Sequence, residues 1–118
     1  MFSKPRKWKF RLRHMLAAIA QAQEYVRGQS FEQFCADPKT VDAVIARLAV
    51  LGEAARHVPD PVRHAHPEVP WRKMQALRNV VVHEYDRIDL GLLWGVVQRD
   101  LPPLVPLLQS IHDREPGE

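Results

Sequence analysis

The chain has 118 residues, 46% of them hydrophobic, and a formal net charge of +3, so it is expected to form one domain over residues 1–118 with a modest core and no second domain. No apolar run approaches the roughly 20 residues that span a bilayer, and a lone cysteine, Cys35, excludes an internal disulfide framework and fits a reducing compartment. The pI of about 9.4 points toward a polyanionic partner, while Cys35 reads as a buried, inert thiol.

The first stretch, Phe2 to Arg13, sets Lys4, Arg6, Lys7, Lys9, Arg11 and Arg13 around Trp8 and Phe10. That mixture could hold RNA by charge and stacking, but it fits better a solvated helix face whose aromatics tuck into the core. With Met15 to Ala20 it imitates a signal peptide, but the apolar part is short and Gln21 and Gln23 interrupt it. It is therefore expected to begin the first helix of a cytoplasmic protein. Met15, Leu16, Ile19, Gln23 and Val26 keep a period near 3.6, and Gly28 ends the run as a C-cap does.

Ser30 caps a short turn over Phe31 to Ala36, and Asp37-Pro38 reads as an N-cap followed by proline in the first helical position. Val41, Val44, Ile45, Leu48, Leu51 and Ala55 mark the buried stripe of the second helix, which Pro59 stops. Ala46, Ala49, Gly52 and Ala54 are small enough to let a neighbouring helix approach. Residues 59 to 70 carry four prolines and read as an irregular connector. His57, His64 and His66 lack the Cys or carboxylate partners of a zinc site and are expected to be surface histidines, with no metal and no cofactor.

Pro70-Trp71 opens the third helix, with Trp71, Met74, Leu77 and Val81 toward the core and Arg78 and Asn79 on another side. Val80 to Val82 are mediocre helix formers, but no partner strand is in sight. Asp86 to Asp89 is the turn, and Asp89 caps a fourth helix whose stripe runs Leu90, Trp94 or Leu93, Val97, Leu101, Leu104, Leu108 and Ile111. Prolines 102, 103 and 106 should kink that helix, Asp100 should re-cap it, and Glu115 to Glu118 should fray.

The third helix carries the chemistry in Arg78-Asn-Val-Val-Val-His83-Glu-Tyr85. Arginine is a fixed cation with a planar fork of donors for phosphate, and histidine is the side chain that changes charge near neutral pH. At roughly 100° per residue the two point about 140° apart. Either the helix loosens at His83 or two chains share a site.

The spacing Arg-x-x-x-x-His-x-Tyr, late on a helix of a small all-helical protein, resembles the HepT family, minimal HEPN-domain ribonuclease toxins encoded beside MntA-type nucleotidyltransferase antitoxins. The likeness spans about residues 8 to 112. It rests also on Leu12-Arg-His-Met-Leu, Asp42-Ala-Val-Ile, Gly52-Glu-Ala-Ala-Arg56, Pro70-Trp-Arg and Gln98-Arg-Asp-Leu-Pro102, in that order. It implies an all-α, up-and-down bundle of four main helices, the last kinked by prolines, that forms a homodimer with Arg78 and His83 of both chains in one cleft. The expected activity is metal-independent cleavage of RNA, whether tRNA or mRNA, in a type VII toxin–antitoxin system.

In that chemistry the RNA's own 2′-hydroxyl attacks the phosphorus, His83 moves protons and Arg78 neutralises charge on the phosphoryl oxygens. Asn79 supports the site by binding phosphate or orienting His83, or else serves as a cap or surface residue. The matching tyrosine of the family, here Tyr85, is adenylylated by the partner nucleotidyltransferase, which silences the enzyme; the alternative is that Tyr85 packs under the next helix. Glu53 either supports the site through a salt bridge or is a surface carboxylate. Glu84 departs from the small residues frequent at its position and brings a negative charge beside a site that must admit RNA. The competing reading is a non-catalytic helical module, a platform for the nucleotidyltransferase.

Overall fold

The apolar period along the first stretch winds α1 (Lys9–Tyr25), which buries Leu12, Met15, Ala18, Ile19 and Ala22. A computed structural model describes residues 7–116; Lys4 and Arg6 of the basic segment lie outside them. Gly28 takes φ +79°, the left-handed conformation that glycine adopts without a Cβ penalty, and turns the chain after α1. Ser30 and Gln33 then form a reciprocal cap on α2 (Phe31–Cys35): each backbone N–H donates to the other's side-chain oxygen, at 2.8 and 3.1 Å. Phe34 is fully buried. Cys35, expected to be buried, is only half-buried, because the next position on a helix turns about 100° away.

Asp37 caps α3 (Pro38–Arg56), accepting from the Thr40 N–H at 3.2 Å and from its hydroxyl at 2.5 Å. The Thr40 hydroxyl and amide, with Gln29, hold the Asp37 carboxyl below its ordinary value of 3.8. A carboxylate with a lowered folded pKa contributes stability that is complete above 3.8 and is lost as pH falls through the lower folded value. Asp37→Ala should therefore lower the urea midpoint at neutral pH, and the gap to the wild type should close in strong acid.

The proline-rich connector is not wholly irregular: it holds α4 (Asp60–Ala65). Pro61 sits in the first turn, where its missing N–H costs nothing, and since α4 buries none of its residues, no apolar period announces it. After it, His66 corrects the expectation of a surface histidine, for it is buried, with Nε2 2.8 Å from Glu115 Oε2, while His57 and His64 are exposed. The Trp71 indole donates to the His66 carbonyl at 3.0 Å, and Lys9 Nζ donates to the Glu115 carbonyl at 2.7 Å. The expected fraying thus fails at Glu115, which is pinned from both sides; residues 117 and 118 lie outside the described residues.

Next comes α5 (Trp71–His83), which buries Trp71, Met74 and Val81 and keeps its three valines helical to the last turn. A 3-10 turn at Tyr85–Arg87 leads to α6 (Leu90–Gly95), capped by Asp89 through the amides of Gly91 and Leu92. The fourth helix then divides. Pro102 and Pro103 have no N–H to give, and the ladder widens into a π-helical turn, Val96–Asp100, in which the Leu101 N–H reaches the Val96 carbonyl at 2.9 Å. Asp100 does not re-cap the chain; its carboxylate accepts from Arg99 Nε at 3.0 Å. The last helix, α7 (Leu104–Arg114), begins without a side-chain cap. Pro106 falls in its first turn, where the amide would be unsatisfied anyway, so the expected kink there does not form.

Among the described residues there are seven α-helices rather than four and no strand, so the all-α class holds and the count does not. The core packs α3 against both α1 and α5 and α7 against α1. The radius of gyration, 15.2 Å, exceeds the about 13.5 Å of an equant chain this long. The body is elongated, and α5, which packs mainly on α3, keeps an uncovered face. No described helix is long and apolar enough to cross a membrane.

Candidate active site

Gly52 on α3 determines where Arg78 sits. A Cβ at Gly52 would overlap the Cβ of Arg78 and come within 2.7 Å of the Met74 carbonyl, so the missing side chain is what lets the α5 backbone lie against α3. Of the small residues singled out in the sequence, this one makes the close approach. It brings Arg78 beside Glu53, the residue after the glycine. Arg78 Nε lies 3.6 Å from Glu53 Oε1, an ion pair at longer than hydrogen-bond range, and that oxygen is shut from solvent with no hydrogen-bond donor among the described residues. The other oxygen, Oε2, is 3.0 Å from His57 Nε2 and 3.5 Å from Arg56 Nη1. The His57 bond, helped by the charges of Arg56, His57 and Arg78, holds the Glu53 carboxyl below its ordinary 4.5, so it stays ionised beside Arg78. Of its two sequence readings, Glu53 takes the salt bridge.

Arg78 keeps a third of its side chain open, and Nη1 donates to Asn79 Oδ1 at 3.4 Å, a weak bond between neighbours. The open side of Arg78 borders a groove of about 310 Å³ lined by Arg11, His14, Ala49, Val50, Glu53, Ala54 and Val82 as well. Two guanidinium groups and an imidazole thus face a space wide enough for a phosphate. Arg11 comes from the basic first stretch, where it also lies over the Phe10 ring at 4.6 Å, and Trp8 packs on the core.

His83 does not line that groove. It is the last residue of α5 and is exposed; Glu84 after it leaves the helix at φ −120°, ψ 29°. No hydrogen bond joins His83 to Arg78 among the described residues. The helix ends where the sequence allowed it to loosen, yet within one chain the two groups are not brought together.

Tyr85 is 54% exposed and does not pack under the next helix. Its hydroxyl donates to Asp42 Oδ1 on α3 at 3.0 Å, and that bond, with the carboxylate's charge, raises the phenol above its ordinary value of 10.0. Glu84 is exposed. Sequence reasoning gave no role to Asp42 or His14. Both stood inside the blocks that carried the resemblance, but only the packing of α1 and α5 on α3 turns them toward the motif.

A family model described as "HepT-like: Ribonuclease HepT-like" matches residues 15–111. The chain is 39% identical over 93 residues to a "Probable ribonuclease HepT" of Thermococcus cleftensis, covering 79% of this chain and 84% of that one. It is 31% identical over 104 residues to a "Putative RNase" of Caldanaerobacter subterraneus subsp. tengcongensis, covering 88% and 93%. No solved structure gives a significant match. With the family's description matched from within α1 into α7, and relatives of similar length aligned along most of their own chains, this chain belongs to the HepT-like ribonuclease family.

Proposed function

We propose that this ribonuclease acts as a homodimer of single-domain chains, with Arg78 and His83 as its catalytic groups and Asn79 in support. The observation that carries the reading is on α5: an imidazole exposed at the helix end and an arginine five residues earlier, beside Glu53 with a third of its side chain open. Their separation around the helix asks for a second subunit. Val82, Tyr85 and Leu92, three of the five large hydrophobic side chains left exposed among the described residues, flank His83 or follow it on α6, which supports a subunit contact there.

In the shared cleft one His83 takes the proton of the RNA 2′-hydroxyl as its oxygen bonds to phosphorus. Arg78 stabilises the charge gathering on the phosphoryl oxygens. The P–O5′ bond breaks, and the leaving oxygen takes a proton from the partner subunit's His83. The 2′-hydroxyl is the nucleophile, so the route needs no metal-bound water.

In the cytoplasm the chain is the toxin of a toxin–antitoxin pair, silenced when an MntA-type nucleotidyltransferase adenylylates Tyr85. The Tyr85 oxygen attacks the α-phosphorus of ATP and pyrophosphate leaves. Exposure of the hydroxyl and its orientation by Asp42 support this. The added phosphodiester repels RNA from a cleft that depends on the Arg78 charge. The test is incubation with the nucleotidyltransferase from the adjacent gene, ATP and magnesium. The wild type should gain adenylyl mass and lose RNA cleavage, and Tyr85→Phe should do neither. An unchanged mass would sink the regulation, and loss of RNA cleavage by untreated protein in a chelator would sink the metal-independent route.

A further inference from the structure

A second groove plays no part in this chemistry. It opens between α4 and the head of α5, holds about 800 Å³, and is lined by Asp60, Arg63, His64, Trp71, Arg72 and Lys73 among others. Asp60 is the only acid among its lining residues, and it is paired with Arg63. Arg72, Lys73 and His64 are exposed.

The placement of those cations runs against helix electrostatics. Arg72 and Lys73 occupy the second and third positions of α5, at the positive end of the helix, where acidic residues stabilise and cations destabilise. The first turn of α5 contains no acid, and Pro70 offers no side-chain cap. Met74 is the first residue of α5 whose N–H bonds back to the helix start, to the Pro70 carbonyl at 3.2 Å, so the amides of Arg72 and Lys73 are the open donors that begin a helix. Such a local conflict is relieved by an anion.

The register of α5 says which anion. Arg72, Asn79 and His83 stand seven and eleven residues apart and point within about 40° of one another at roughly 100° per residue. All three are exposed, as is Ala76 between them. One open face of the helix therefore runs from His83 to the groove, a rise of about 16 Å, long enough for several nucleotides of a single strand.

We infer that the groove between α4 and the head of α5, with Arg63, Arg72, Lys73 and His64, is a second RNA site that holds backbone phosphates of the strand cleaved at His83. It rests on the proposed role of His83 for its direction, but not for its binding of RNA. The site grips phosphate and reads no base, so it adds affinity for long RNA without base preference.

The test uses the full chain carrying His83→Ala, so that RNA is bound and not cut, and a labelled single-stranded RNA of mixed sequence, with anisotropy measured across potassium chloride concentrations. Adding Arg72→Ala and Lys73→Ala should weaken binding about tenfold at low salt and reduce the slope of log Kd against log salt by about 1.4, the value for two single-strand phosphate contacts. In the His83 background the same pair should raise KM for long RNA and leave cleavage of a dinucleoside monophosphate, too short to reach the groove, unchanged. Both side chains are exposed, and their loss removes cations from the positive end of a helix, so the thermal midpoint should hold or rise. Should that pair fail to fold, His64→Ala with Lys73→Gln takes its place.

An unchanged affinity and salt slope would overturn the site. So would a change of oligomeric state in the double variant, which would make the groove a subunit contact. If the wild type failed to cut RNA while the groove variants still weakened binding, the groove would stand and the role of His83 would fall.

Discussion

Replacing His83 by alanine should lower the rate of RNA cleavage by about 10²- to 10⁴-fold, the range for losing a general acid or base, and should leave the fold intact. The second half of that expectation follows from position. His83 is exposed at the C-terminal end of α5 and its side chain makes no hydrogen bond among the described residues, so its removal leaves neither a cavity nor a buried polar group. Surface changes of this kind stay within about 0.5 kcal/mol. Single-turnover cleavage and thermal unfolding on the same samples separate the two effects. Equal cleavage by the variant would remove His83 from the chemistry. Arg78→Ala should show a similar loss of rate, but with a visible cost in stability, since Glu53 would keep a shielded oxygen and lose the guanidinium that faces it.

A larger structural effect is expected from one added methyl group. Gly52→Ala places a Cβ into the Arg78 Cβ and 2.7 Å from the Met74 carbonyl, both fixed parts of α5 rather than the ends of flexible side chains. The helices must separate or shift, which costs about 1–3 kcal/mol by analogy with overpacked cores; because the overlap is with fixed atoms, the cost lies toward the upper end and exceeds the about 1 kcal/mol that alanine gains over glycine inside a helix. Moving α5 also moves Arg78, so cleavage should fall with stability. Gly95→Ala is the control. The atoms nearest its Cβ are the guanidinium end of Arg99, at 3.1 Å, which can swing aside, so the same substitution in α6 should be neutral or stabilising. Urea unfolding of the two variants decides the matter, and a Gly52→Ala chain as stable and active as the wild type would refute the close-approach account.

Much of the helical frame could be read from neighbouring residues. Ser30, Asp37 and Asp89 each cap the helix that follows, because a cap joins a side chain to an amide two or three residues on. Along the stripes, Met15 and Ile19, Val41 to Leu51, and Trp71, Met74 and Val81 are buried, with Leu16 and Leu77 half-buried against the core, because a period of 3.6 gathers them on one face. Where local rules failed, local preference had been outweighed or left unexpressed. Proline started α4 instead of preventing it; two adjacent prolines widened the helix before them rather than letting Asp100 cap a new one; and buried His66 looked like any histidine of a polar loop.

The candidate site divides along the same line. The arginine, histidine and tyrosine stood out in the sequence because their spacing lies within two turns of one helix, and the order of several such blocks carried the family. The partners of those residues lie far off along the chain: Glu53 for Arg78, and Asp42 for Tyr85 across 43 positions. Arg11 and His14 reach the Arg78 groove from another helix altogether. Caps and periods act over about four residues, so the sequence by itself determined most of the helical frame and the motif on which the proposed chemistry rests. Which side chains meet depended on how closely two helices could approach at Gly52, and on which face of α5 was left uncovered. Both are properties of packed volumes, and only the tertiary structure decided them.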